Sequence, residues 1–346
     1  MKQKKKHYFG ILIEKSIILS ILLSVVLPMI LLTGCTHTAE PVSQVGFYLD
    51  TVVQITLYNT DGNSESCIKN IQECFTMLDD YEHLFSVTIE GSDIWNINHS
   101  GGRGIVVSDD TASLLRTALY YSDLSGGKVD LTVLPLGRLW DFGSGKNPHV
   151  PDDTAIQEAL SHIDYHAVKL DGNVVTLTDP YASIDLGFIA KGYIADRLKE
   201  YLISQGVENA CISLGGNLVT IGNKPDQTPY RIGIQKPFAD QGETITAVEV
   251  TDKSVVSSGI YERYFYEENT LYHHLLNTQT GYPEDNNIAG VTIIASASVD
   301  ADALSTTCYF LGLDEGMKLI ESLADTEALF ITKDLHMHPS SGFPIP

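Results

Sequence analysis

Asp302 and Thr306 stand four residues apart, with Ser305 beside the Thr, in the stretch Ala301-Asp302-Ala303-Leu304-Ser305-Thr306. In a helix that spacing puts both side chains on one face. A carboxylate and a hydroxyl so placed can offer oxygens to a hard cation such as Mg²⁺, which takes few protein ligands and completes its shell with water and phosphate oxygens. The same residue types near a helix start can equally act as caps. A second group lies at Ile184-Asp185-Leu186-Gly187-Phe188-Ile189-Ala190-Lys191-Gly192-Tyr193. A first-turn Lys191 opposes the usual preference of cations for the last turn. It makes sense if an anion such as phosphate docks at the free N–H groups there; the alternative is a surface Lys with its charge in water. A third group is His273-His274, in a run that alternates faces, so one ring points inward. An inward His can be a general base for a hydroxyl nucleophile or a hydrogen-bonded core residue.

Helices and strands must hold these groups. An apolar run ends in Asp185-Leu186-Gly187, which places the Asp at a strand end. Ala190, Ile194, Leu198 and Leu202 then predict a helix that stops at Gly206. Thr51–Tyr58 alternates as a half-buried strand, and Ile68, Ile71, Phe75, Leu78 and Phe85 mark an amphipathic helix. Ser108-Asp109 caps a second helix. The stretch from Gly126 to Gly143, with its glycines, Asp130, Pro135 and Trp140, reads as a shaped loop or an ordinary connector around a buried Trp. Ala167–Thr178 is a hairpin turning at Asp171-Gly172-Asn173. The glycine pair in Ser213-Leu214-Gly215-Gly216-Asn217 signals a bulge or a close approach. Asp300–Leu311 reads as a helix closed by Gly312, followed by a second helix to Leu323. Strands and helices mix without strict alternation, so the expectation is α+β: one domain of largely antiparallel strands with helices over residues 46–346.

The N-terminus differs in kind. Lys2, Lys4, Lys5, Lys6 and Lys15 precede or flank an apolar run from Ile17 to Leu32 that ends in Leu32-Thr33-Gly34-Cys35. This pattern reads as an export signal, and its ending resembles a bacterial lipoprotein signal. Residues 1–34 are then removed, Cys35 carries lipid, and residues 35–45 form a tether. The expected location is the cell membrane, lipid-anchored on the extracytoplasmic side. An uncleaved anchor with an incidental Cys is the alternative. Loss of residues 1–34, which hold five Lys and one Glu, takes the net charge from −22 to −26. So acidic a body excludes nucleic acid as a partner, but not a phosphate ligand, since local dipoles and a metal can outweigh net charge. Cys67, Cys74, Cys211 and Cys308 show no metal spacing, and the first two lie too far apart along one helix to bridge. No Gly-x-Gly-x-x-Gly, phosphate-loop or Gly-x-Ser-x-Gly signature is present.

Taken in order, Gly126–Asp130 with Trp140–Gly143, Asp185–Tyr193, Ser213–Asn217, Ser257–Arg263, His274–Gly281 and Ala301–Thr306 resemble the ApbE family, the FAD:protein FMN transferases. The resemblance runs over most of residues 45–332. It implies an ApbE-like, T-fold-related domain that transfers the FMN half of FAD to a Thr or Ser hydroxyl of an acceptor flavoprotein, with Mg²⁺, releasing AMP. Such an acceptor would lie in an extracytoplasmic electron-transfer system. On this chain the resemblance assigns Mg²⁺ to the side chains of Asp302 and Thr306 and the carbonyls of Ser305 and Phe188. It assigns FAD contacts to Leu49, Asp130, Asp185, Lys191 and Leu276, and the proton-accepting role to His274. Phe188 stands where a small residue is usual, Asn277-Thr278 where Asp-Pro is common, and Leu49-Asp50-Thr51 loosely matches Met-Gly-Thr. The alternatives are an Mg²⁺-dependent FAD pyrophosphatase and a non-catalytic flavin-binding lipoprotein.

Overall fold

The computed structural model describes residues 41–58, 64–142 and 148–345. The signal segment, Cys35 and Gly143 lie outside them.

The frame is an eight-stranded antiparallel sheet. Its strands are β1 (Pro41–Tyr48), β2 (Thr51–Tyr58), β6 (Ala210–Leu214), β7 (Asn217–Ile221), β10 (Ser254–Gly259), β13 (Ile288–Ala295), β14 (Glu327–Thr332) and β15 (Met337–Pro339), in the spatial order β1-β2-β6-β7-β10-β13-β14-β15. The two-residue periodicity of the strands sorts side chains to opposite faces. One face is covered by α1 (Ser64–Phe85), α6 (Ala190–Ser204) and α7 (Ser298–Glu321), and Val53, Ile55, Leu57, Ile212, Val291 and Ile293 fill the core beneath them. A separate hairpin, β8 (Tyr230–Gln235) with β9 (Thr244–Val250), covers part of the other face over Val255, Ile294 and Leu329. Strand β13 is therefore buried at every position, as a strand covered on both faces must be.

A smaller region carries α2 (Asp93–Asn98), α3 (Asp109–Leu124), α4 (Leu134–Trp140), α5 (Asp153–Leu160) and the three strands β3 (Ile105–Val106), β4 (Val168–Asp171) and β5 (Val174–Leu177). Ser92 caps α2 and Ser108 caps α3, each accepting from the N–H three residues on. Trp140 is fully buried and donates its Nε1–H to the Gly281 carbonyl at 2.8 Å. Its ring holds the hairpin β11 (Tyr264–Glu267)–β12 (Thr270–His273) through Phe265 and Tyr272. That hairpin leads directly into His274.

The α+β reading holds, and three local readings change. The stretch read as a tether is strand from Pro41 on, paired in continuous register from Pro41↔Tyr58 to Tyr48↔Thr51. Ser43 and Gln44 hid its alternation; the Ser43 hydroxyl bonds Thr56 Oγ1 across the pair at 2.9 Å. The stretch read as a shaped loop or connector contains a helix, α4, because Pro135 falls in the first turn, where no N–H donor is needed. Asp185 follows only an isolated bridge, Val133↔Ser183, and not a strand. The short edge strand β15 has too few residues to show a pattern. Gly312 does break α7, with φ 82°, and no helix among the described residues is long and apolar enough to cross a membrane.

Candidate active site

Helices α6 and α7 cross at Gly192, where a Cβ would lie 2.3 Å from the Ser298 carbonyl and 2.7 Å from the Asp302 Cβ. Only glycine permits that approach. At the crossing the Gly192 N–H donates to Asp302 Oδ2 at 2.8 Å, and Lys191 Nζ lies 3.9 Å from Asp302 Oδ1. Asp302 is 3% exposed. Burial raises its pKa, opposed by Lys191 and by the Gly192 bond. A buried carboxylate with one cation beside it can still accept a second positive partner.

The first turn of α6 supplies a matching oxygen. Its Gly192 N–H goes to Asp302 and not back to the Phe188 carbonyl, and among the described residues no donor reaches that carbonyl. The turn is set by Asp185 Oδ1, which accepts from the Gly187 N–H at 2.6 Å, while Lys191 Nζ folds back to the Gly187 carbonyl at 3.3 Å. One helical turn beyond Asp302, Thr306 Oγ1 lies 3.3 Å from Ser258 Oγ on β10, and Ser258 Oγ lies 2.7 Å from Ser305 Oγ. A buried carboxylate, an unengaged carbonyl and a hydroxyl are hard oxygen donors and fit Mg²⁺.

The second carboxylate of the site is Glu262, just after β10. Its residue surface is exposed, yet the protein packed around its carboxyl desolvates it and raises its pKa to about 7, with Lys191 pulling it down and Asp302 pushing it up. His274 is half-buried, and desolvation, then the Arg263 charge, push its pKa down to about 3, with Lys191 contributing. The inward-facing ring of the pair is His273, which is buried and lies 3.4 Å from the Tyr309 hydroxyl. His274 is thus neutral, with its Nδ1 3.3 Å from the Arg263 carbonyl.

Sequence similarity and fold agree with this constellation. The ApbE family model matches residues 49–330. The chain belongs to the ApbE family. An FAD:protein FMN transferase of Klebsiella pneumoniae is 38% identical over 263 residues, covering 75% of this chain and 81% of the relative. One from Treponema pallidum is 33% identical over 288 residues, covering 79% of each. The ApbE protein of Thermotoga maritima superposes with a TM-score of 0.79 at 31% identity, covering 87% of this chain and 97% of that one. The flavin transferase ApbE of Vibrio cholerae gives 0.78 at 28% identity, covering 88% and 98%.

Within this ApbE-family chain the structure gathers Asp185, Phe188, Lys191, Ser305, Thr306 and Asp302 around one helix crossing, while His274 follows β12 and turns to the Arg263 carbonyl. Leu49 is half-buried at the β1–β2 turn with φ 54°, a strained conformation for a side-chain residue. Leu276 is buried in the Trp140 cluster with Leu136 and Ile156. Asp130 is 6% exposed, and its oxygens accept from the Thr132 N–H and hydroxyl, both at 2.7 Å, and the Tyr165 N–H at 2.8 Å. Its carboxylate braces the loop ahead of α4. Asn277 Oδ1 accepts from the N–H groups of Gln279 and Thr280 at 2.8 and 3.0 Å, as an Asp oxygen could, so the turn after His274 is held by the side chain at 277.

Three residues escaped sequence reading. Ser258 and Glu262 lie in quoted stretches but give no periodic signal. Asp196 on α6 accepts from the Ser298 and Val299 N–H groups at 2.8 and 2.9 Å, capping α7 from another element. A carboxylate among Ile194, Ala195 and Leu198 was its only trace in the sequence.

Proposed function

We propose that this chain is an FAD:protein FMN transferase that uses Mg²⁺, takes a Thr or Ser hydroxyl of an acceptor flavoprotein and releases AMP. The observation that carries the reading is the buried Asp302 beside Lys191, one turn from the unengaged Phe188 carbonyl. Asp302, Thr306 and the carbonyls of Phe188 and Ser305 are the residues that would hold Mg²⁺. Bound there, the ion supplies positive charge that neutralises pyrophosphate oxygens. Lys191 and the first N–H groups of α6 face the same anion. Asp185 holds the turn that aims them, and Leu49 and Leu276 supply apolar contacts for the rings. Asp130 acts on FAD by fixing the loop before α4.

His274, neutral above its depressed pKa, takes the proton as the acceptor oxygen attacks the FMN-side phosphorus. The new bond is a phosphoester, the broken one joins that phosphorus to the bridging oxygen, and AMP leaves with it. Positioning and charge neutralisation carry such a transfer. The N-terminal pattern adds a lipid on Cys35 and an extracytoplasmic location at the cell membrane.

The test is incubation of the protein with FAD, Mg²⁺ and a candidate acceptor flavoprotein domain, reading acceptor mass and AMP. Flavinylated acceptor with AMP supports transfer, and its loss with a chelator supports the metal. AMP with free FMN assigns hydrolysis. FAD left intact by protein that binds it sinks both enzyme readings.

A further inference from the structure

Among the described residues nothing covers the outer face of the β1–β2 hairpin near its turn. Val45, Phe47 and Val52 are 64%, 67% and 57% exposed. Phe47 and Val52 pair directly and Val45 lies two residues back on the same face, so the three form one patch. The inward face is occupied: Tyr48 stacks on Phe75 of α1 at 5.3 Å. The β8–β9 hairpin covers the outer face farther along the sheet and reaches β2 only at Tyr58. From Pro41 to Tyr58 the one charged residue is Asp50, in a chain with 44 acidic residues. Gln54, opposite Val45, and the hydrogen-bonded Ser43 and Thr56 complete this face, so its apolar part is concentrated at the turn end around Phe47 and Val52.

We infer that this face rests on the lipid bilayer. Strand β1 starts at Pro41, six residues after Cys35. Six residues span at most about 20 Å, so lipid on Cys35 confines the start of β1 to that distance from the interface. Exposed aromatic and β-branched side chains with a single neighbouring charge, Asp50, can enter the headgroup and acyl boundary while that carboxylate stays at the headgroups. The acidic remainder of the surface is repelled by anionic lipid, which turns the hairpin, with Asp50 as its single charge, toward it. The far end of the hairpin belongs to the active site: Thr51 packs on Gly215, where a Cβ would lie 1.9 Å from the Thr51 hydroxyl, and the next residue, Gly216, faces Glu262. Seated this way, the hairpin holds the mouth of the site at the bilayer surface. The inference rests on the lipoprotein reading of residues 1–35.

The test uses the full lipidated chain in vesicles of phosphatidylethanolamine and phosphatidylglycerol, with and without bromine on the acyl chains. Phe47→Trp and Val52→Trp are compared with Tyr120→Trp, at a position 57% exposed on α3, each against the parent with its own two Trp. Side chains settled about 5–10 Å into the boundary lose roughly half of their added emission to the bromines, while Tyr120→Trp loses none. Lipid found on Cys35 by peptide mass, with no quenching at 47 or 52, overturns the inference and leaves the signal reading intact. Equal quenching at 120 overturns it too, and shielding seen only after an acceptor flavoprotein domain is added gives the face to protein instead. A chain without lipid that stays off vesicles sinks both the signal reading and the inference.

Discussion

Replacing Gly192 by Ala tests whether the α6–α7 crossing sets the site. The added Cβ would sit 2.3 Å from the Ser298 carbonyl oxygen, 2.8 Å from its carbon and 2.7 Å from the Asp302 Cβ. Comfortable carbon contacts lie at about 3.5–4.0 Å, and two of the three obstacles are backbone, so no rotamer change relieves them. The helices must separate by roughly 1 Å, an overpacking strain of about 1–3 kcal/mol. Against a typical total of about 5–15 kcal/mol the variant still folds. The 2.8 Å bond from the Gly192 N–H to Asp302 lengthens with the shift, and the carboxylate moves away from Lys191 and the Phe188 carbonyl. A misplacement of about 1 Å is worth on the order of 100-fold in rate. Urea denaturation should therefore show a lowered midpoint at unchanged slope, while Mg²⁺-dependent AMP release falls about 100-fold. Wild-type midpoint with wild-type turnover would show that the crossing is loose and that Asp302 is positioned by something else.

Asp302→Asn should abolish Mg²⁺-dependent AMP release while the folded state persists by circular dichroism; full activity refutes the metal assignment. His274→Ala should lower acceptor flavinylation by about 100- to 10,000-fold with FAD binding retained by fluorescence, and unchanged turnover removes it as base. Burial pushes His273 down to about 4 and His274 to about 3, below the unfolded value of about 6.5. The unfolded chain then binds the extra protons, so this part of the stability is complete above about pH 6.5 and is lost as pH falls toward the folded values. His273→Gln should flatten the difference between urea midpoints at pH 5 and pH 7, and an unaltered difference counts against the assignment. Trp140→Ala should cost about 3–5 kcal/mol in denaturant unfolding, since the ring is fully buried and holds the β11–β12 hairpin; a loss under 1 kcal/mol would contradict that role.

Local chemistry is what the residues announced unaided. The four-residue spacing of Ala190, Ile194 and Leu198 produced a helix because one face had to be buried, and the Asp302/Thr306 spacing put both groups on one side of α7 for the same geometric reason. Ser92 and Ser108 cap helices because their hydroxyls reach N–H groups three residues on, an interaction that needs no distant partner. The Asp171-Gly172-Asn173 turn is equally local. In each case the decisive contact lies within a few residues of the one that makes it.

The tertiary fold decided what depends on partners far along the chain. From spacing alone Lys191 could be a solvated cation or part of an anion site; its place beside a buried carboxylate was set by α7, more than a hundred residues on, which brings Asp302 to 3.9 Å from it. The Phe188 carbonyl is left open because the Gly192 N–H turns to that same Asp302. Which of two adjacent histidines faced inward depended on the packing of Tyr309. The donors that Asp130 meets, Thr132 and Tyr165, were likewise invisible in the sequence, because Tyr165 lies 35 residues away and only the fold brings its N–H to the carboxylate. Spacing and residue type determined the donors, whereas the crossing of two helices at a glycine determined which of them meet, because long-range contacts depend on the packing of the whole core.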